Sequence, residues 1–406
     1  MIDYKKRGDI TTKILLILFS IFVVNKTFTL SVLNYDVSFS LVRKIILYSV
    51  YIIFVIYIIC KVIKKNKINL KWWWLLVISL IITIISKNTE PIIALLIILT
   101  FKDIKPEKIV RVCFWSNIFS LFIIILLYLV NIIPDYKYFS GTSIRHSLGF
   151  YYPTFPSTIL FFIVLMRLFI KKGKIGIFET LIYIVAILIM YKYTLSKTGL
   201  ILSVAVVIFS LICKILNLLK IDIESVMRSN VITVIIYILP IIILLFSIGT
   251  AVSYNSNSKF MVSLNKVLNN RLEVAHKTIN NEGISLFGKN ITWIGNGGRW
   301  YEDIPEGEYN FVDNAYLKMM LDCGIIYLIV FMLIIIKNQR KLIEKKEYIS
   351  LFIIFIILLW GISEPNILDL EKNVFLIMIF SNVIDKNWGK GYKWIKKVLQ
   401  KIICTI

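Results

Sequence analysis

About twelve mainly apolar runs, near 12–33, 43–62, 72–86, 91–101, 109–131, 153–170, 175–193, 198–213, 231–249, 313–336, 348–362 and 373–385, dominate a chain of 406 residues. A helix crosses the hydrocarbon core with about 20 such residues, because lipid offers no partner for an unpaired backbone group. The pattern predicts an all-α polytopic membrane protein with about twelve transmembrane helices. The third and fourth runs are short and joined only by Ser86 to Glu90, so they make either two spans or one re-entrant hairpin, and the parity of the rest is the same in both cases. With 58% hydrophobic and 17% charged residues and a mean hydropathy of +0.80, the composition excludes an ordinary water-soluble domain.

Orientation follows from the basic residues. The 47 Lys and Arg against 24 Asp and Glu give a net charge of +23, which in a soluble protein would suggest a nucleic-acid partner. Here the basic residues fall in blocks such as Lys61 to Lys71, Lys102 to Arg111, Arg167 to Lys174 and Lys337 to Lys346, in every second loop. Basic loops resist translocation, so the blocks read as topology: no nucleic acid is expected, and both termini are placed in the cytoplasm. The chain divides into helices one to nine over 1–249, an external loop over 250–312, helices ten to twelve over 313–385, and a basic tail over 386–406. That tail, with Trp388, Tyr392 and Trp394 among lysines, reads as an amphipathic helix on the inner leaflet. Residues 1–10 have the charge of a signal-peptide start, but the apolar run behind them is long and has no small-residue cleavage site, so it reads as an uncleaved first span. The cysteines Cys60, Cys113, Cys213, Cys323 and Cys404 imply no disulfide framework.

Two external segments depart from tight turns: 132–152 and the longer stretch from Ala251 to Val312. An ordered loop of that length is usually functional. Within it the spacing predicts a short helix over 268–281, capped by Asn269 and Asn270, with Leu272, Ala275 and Ile279 on one face and Glu273 paired to Lys277. Trp293, Trp300 and Tyr301 offer flat apolar faces to sugar rings or to the membrane interface. Charges expected on the external side are Arg145, His146, Lys197, Arg271, His276, Lys289, Arg299, Asp313 and Glu364; several cations at span ends could hold an anion through charge-assisted hydrogen bonds. The mid-span positions look almost uniformly apolar. No phosphate-binding loop, metal-ligand spacing or Ser/His/Asp elbow is recognisable, and the Gly295-Asn296-Gly297-Gly298 cluster reads as a turn.

Four segments in order carry a family resemblance: Arg145 to Thr154 before a span, Thr194-Leu195-Ser196-Lys197-Thr198-Gly199 opening another, Asn270-Arg271-Leu272 leading to Leu286-Phe287-Gly288, and Val312-Asp313-Asn314-Ala315-Tyr316 followed by Leu321 to Ile326. Together with the topology they resemble the Wzy-type polysaccharide polymerases of the O-antigen ligase/polymerase superfamily. Tyr152-Pro153-Thr154 stands where that family often has His-Pro-Asn, and Ser196-Lys197-Thr198 where it often has Ser-Arg-Thr. Lys197 keeps the charge but lacks the planar fork that Arg offers a phosphate.

The resemblance implies a GT-C-like architecture and a metal-independent glycosyltransferase needing no cofactor, in the cytoplasmic membrane. Its substrate would be an undecaprenyl-pyrophosphate-linked oligosaccharide, and a flippase and a chain-length regulator its partners. Catalytic duty falls on His146, Arg271 and Asp313, with His146 preferred as the base because its ordinary pKa lies near neutrality. Substrate binding falls on Arg145, Lys197, Arg299, Asn314 and Tyr316. The alternatives are ligase-type transfer to another acceptor and a lipid-linked oligosaccharide flippase.

Overall fold

A computed structural model describes residues 2–65, 73–140, 143–219, 230–295 and 309–384. Arg299, Trp300, Tyr301, Gly297, Gly298 and the tail from 386 lie outside them. The apolar runs are helical: α1 Ile2–Phe28, α2 Val37–Lys65, α3 Trp73–Ser86, α4 Glu90–Phe101, α5 Pro106–Leu129, α6 Thr154–Ile170, α7 Ile177–Thr194, α8 Lys197–Leu218 and α9 Asn230–Val252. After them come α10 Lys259–Val267, α11 Arg271–Glu282, α12 Ala315–Cys323, α13 Ile325–Glu344, α14 Tyr348–Trp360 and α15 Phe375–Ile384. Six of these, α1, α2, α5, α7, α8 and α9, are long and apolar enough to cross a membrane, and α3, α4, α6 and α14 are shorter apolar helices. Side chains such as Ile45, Ile52, Phe122, Leu181 and Leu245 stay exposed on their flanks, as expected of a surface solvated by hydrocarbon.

The centre of the bundle is α6, where residues from Pro156 to Met166 are buried almost without interruption between α5 and α8. A helix apolar on all sides has no solvent face to present, so it sits in the core. Gly199 allows α8 its close approach there: a Cβ at that position would lie 2.0 Å from the Ser157 hydroxyl. Lysine-rich turns gather at one end of the bundle, where Lys61 meets Asp103 and Lys174 meets Asn217. The longer connections lie at the other, here called the loop end.

Three departures from expectation matter. First, 132–152 contains a hairpin, β1 Lys137–Ser140 paired antiparallel with β2 Ser143–His146, so the chain is not wholly α. Second, the tenth apolar run is broken. Gly324 has φ +88° and starts α13 after the short α12, and Gly288, at φ +85°, docks on the break so tightly that a Cβ there would lie 2.1 Å from the Asp322 carbonyl oxygen. The glycines of two resemblance segments thus serve one backbone crossing. Third, the chain between α14 and α15 is a buried non-helical strap, 361–374. It reaches the middle of α5, where Asn117 donates to the Glu371 carbonyl (2.8 Å), and it carries Lys372 to 2% exposure beside Asp369 (2.6 Å). The strap thus brings charged side chains inward from outside the apolar runs, made bearable by pairing them.

The helix expected over 268–281 is α11. Leu272, Ala275 and Ile279 are buried on one face, and Glu273 pairs with Lys277 at 3.4 Å. Its cap differs from the expectation: Asn270 holds the N-cap position with φ 63° and makes no side-chain capping bond, while the Oδ1 of Asn265 accepts from the backbone N–H groups of Leu272 and Glu273. Four cysteines, Cys60, Cys113, Cys213 and Cys323, are free.

Candidate functional site

At the loop end, four connections bring charge together. β2 delivers Arg145, whose Nε donates to the Thr194 carbonyl at the end of α7 (2.9 Å) and whose guanidinium lies 5.8 Å from the centroid of Tyr152. The first residue of α11 delivers Arg271, which donates to the Ser363 carbonyl (2.5 Å) and approaches Asp313 (3.3 Å). The strap delivers Ser363 and Glu364, and the Ser363 hydroxyl shares a hydrogen bond with Thr198 in the first turn of α8 (2.9 Å). Both arginines act on the same three groups, Asp313, Glu364 and Tyr152.

Burial decides the protonation here. It pushes the Glu364 carboxyl up to about 7, an effect Arg271 opposes and Asp313 reinforces. Burial raises Asp313 too, against the pull of Arg271 and Arg145. The phenols of Tyr152 and Tyr309 are raised by burial and stay protonated at neutral pH. With two permanent guanidinium charges and carboxyls reluctant to ionise, the cluster retains an excess of positive charge and several hydrogen-bond donors. An anion with several oxygens can replace the carboxylates as partner to the arginine forks.

The expected site residues divide. Arg145, Arg271 and Asp313 converge. Lys197 opens α8 next to Thr198; it is exposed and forms no ion pair among the described residues. His146 follows Arg145 in the strand, and alternation sends it elsewhere: its Nδ1 is 2.5 Å from Asp135, and its ring packs edge-on to Tyr193. Among the described residues no hydrogen bond or ion pair joins it to Arg271, Asp313 or Glu364, and it keeps a carboxylate partner of its own. Asn314 caps α12, accepting from the Tyr316 and Leu317 N–H groups and donating to the Ile362 carbonyl, so its amide oxygen serves the helix start. Tyr316 is wholly buried with its hydroxyl on the Leu358 carbonyl (2.7 Å), a packing residue with no face for a ligand. His276 is held by the Ala251 carbonyl and Asn280.

Sequence reasoning left Ser363, Thr198, Thr194 and Tyr152 out of the site and gave Glu364 no role. The Ser363-Glu364-Pro365-Asn366 stretch carried the one available signal, a polar break directly after an apolar run. Comparison with family models, curated proteins and solved structures finds no match for this chain.

Proposed function

We propose that this protein polymerises lipid-linked oligosaccharide repeat units by glycosyl transfer on the outer face of the cytoplasmic membrane. In this reading the helices span the bilayer about twelve times, with both termini inside and the loop end outside. The observation that carries it is the meeting of Arg145 and Arg271, from connections more than a hundred residues apart, around the half-buried Asp313 and the buried Glu364 at one mouth of an apolar bundle. A pyrophosphate leaving group needs such positive charge where its own charge develops, in a site that excludes water.

In the reaction, the bond from the donor sugar's anomeric carbon to the pyrophosphate oxygen breaks. A bond from that carbon to an acceptor hydroxyl oxygen forms, and the hydroxyl proton passes to Glu364, whose carboxyl titrates near neutrality as a general base should. Arg145 and Arg271 hold the departing lipid pyrophosphate, and Asp313 keeps Arg271 in place until it arrives. The paired charges along the strap are also what an ion-coupled transporter of the same lipid would carry, and this keeps the flippase as the second reading. A deletion strain separates the two: single lipid-linked repeats gathering on the outer face support polymerisation, while repeats held inside replace it with flipping. Arg271→Ala should abolish polymer at near-normal protein abundance; long polymer from that variant removes Arg271 from the reaction.

A further inference from the structure

Arg43 is a cation held in place by the chain without a counter-ion from it. It stands on α2, about 9 Å along the axis from the first residue of that helix by helical rise. It is only 7% exposed, although its neighbours Leu41, Val42, Ile45 and Ile46 all face outward on a flank solvated by hydrocarbon. The side chain leans back toward the helix start, as helical side chains do, and two amides fix it there. Its Nε donates to the Oδ1 of Asn34 (3.0 Å) in the turn between α1 and α2, and its Nη1 to the Oδ1 of Asn25 on α1 (3.3 Å). Asn25 closes the ring by donating from Nδ2 to the Arg43 carbonyl (3.0 Å). The turn is itself tied down at the loop end: the Val32 N–H donates to the Gly149 carbonyl and the Tyr151 N–H to the Leu30 carbonyl, both at 3.0 Å.

These bonds satisfy geometry but not charge. Arg167, Arg271 and Arg340 each meet a carboxylate, whereas Arg43 forms no ion pair among the described residues. The carboxylate nearest to it in sequence, Asp36, accepts instead from the Ser38 hydroxyl and the Phe39 N–H at the start of α2. A guanidinium carries five N–H donors, of which the two amides use two, and the Asn34 amide nitrogen makes no hydrogen bond among the described residues. A charge kept from water without an opposite charge is costly, and arginine has no neutral form to retreat to. The missing charge is therefore supplied from outside the chain. Position narrows its source. The flank of α2 faces hydrocarbon, and Lys44, the next residue, is exposed and forms no ion pair among the described residues. The guanidinium lies beside the turn at which α1 and α2 reach the end of the bundle, the depth of headgroup phosphates. A phosphate offers several oxygens to a planar fork, and acyl chains attached to it would run along the apolar flank.

We propose that Arg43, with the Asn34 amide beside it and the exposed Lys44 next to it, binds the phosphate of a membrane lipid whose chains lie along the outer flank of α2. The inference needs only a bundle that spans the bilayer and does not rest on glycosyl transfer. The test uses the full-length protein, stripped of lipid in detergent, and native mass spectrometry with three probes: phosphatidylglycerol, the diacylglycerol with the same chains, and inorganic phosphate. Phosphatidylglycerol affinity should fall tenfold or more in Arg43→Met and several-fold in Arg43→Lys, which keeps the charge and loses the fork. Arg271→Lys should bind this lipid as the wild type does, which separates the α2 site from the arginine cluster. Diacylglycerol, lacking the phosphate, should bind at least tenfold more weakly. The same phospholipid should raise the thermal midpoint of the wild type by several degrees and leave that of Arg43→Met where it is. If Arg43→Met does not fold, Arg43→Lys and Asn34→Ala carry both comparisons. Phosphatidylglycerol binding that ignores these substitutions overturns the inference, as does inorganic phosphate binding as tightly as the lipid, since the site would then answer to a soluble anion.

Discussion

Glu364 shows how one carboxyl can bring a stability cost and a reactivity gain from the same cause. Burial holds its proton affinity up to about 7, against an ordinary carboxylate value of 4.5. An acid whose folded-state pKa is raised binds its proton more tightly when folded. Its contribution is therefore complete below about 4.5 and is lost as pH rises through 7, a loss of roughly 3 kcal/mol at most for a shift of that size. Asp313 is raised as well and adds in the same direction. The expected outcome is a thermal midpoint that falls by several degrees between pH 5.5 and pH 8.5 in the wild type and by clearly less in Glu364→Gln. Equal slopes for the two proteins would mean that the carboxyl is solvated and unfit for the role given to it. His146 is the instructive contrast. Its ordinary pKa near neutrality suggested a base, but residue type says nothing about partners, and in the fold its partner is Asp135, which binds the ring and also accepts from the Ser147 and Leu148 N–H groups.

Among the elements, the broken tenth run carries the sharpest mechanical constraint. The loop 285–289 lies across the α12–α13 break through bonds from Ile325 N–H to Ser285 and from Lys289 N–H to Leu321, and both meeting points are glycines at positive φ. A methyl group at Gly324 would lie 2.3 Å from the Leu286 carbonyl oxygen, a backbone atom with no rotamer to escape into. Gly324→Ala and Gly288→Ala should each lower stability by more than about 3 kcal/mol, combining collision with a left-handed strain of 1–2 kcal/mol, and should be read as lost membrane-inserted protein. Gly249→Ala supplies the control: its Cβ meets nothing within 4 Å and it sits inside α9, so alanine should gain about 0.5–1 kcal/mol there. Similar yields from Gly324→Ala and the control would remove the crossing from the account of how α12 is held. Because α12 is capped by Asn314 next to Asp313, its placement also sets that of the Asp313 carboxyl in the arginine cluster.

At the scale of the whole molecule, what the sequence disclosed and what it hid divide by range. Long apolar runs and the face of α11 were legible because length and a 3.6-residue period act locally. The strap was not: between apolar runs, Ile362 to Val374 reads as a loop, and its burial depends on Lys372, Asp369 and Glu371 finding one another and on Asn117 of a distant helix. The meeting of Arg145 with Arg271 was hidden for the same reason, since no local rule relates a hairpin to the start of a helix beyond residue 270. Placing that meeting outside the cell still hangs on the bias of the lysine blocks, and labelling tests it directly. In a background lacking Cys60, exposed among the described cysteines, and Cys404, which lies outside the described residues, Lys289→Cys and Tyr309→Cys should react with a membrane-impermeant maleimide on intact cells. Lys345→Cys, in the exposed turn between α13 and α14, should react only after permeabilisation. The opposite pattern would turn the arginine cluster toward the cytoplasm, where soluble nucleotide-activated sugars become the natural donors and a lipid pyrophosphate on the outer leaflet lies beyond its reach.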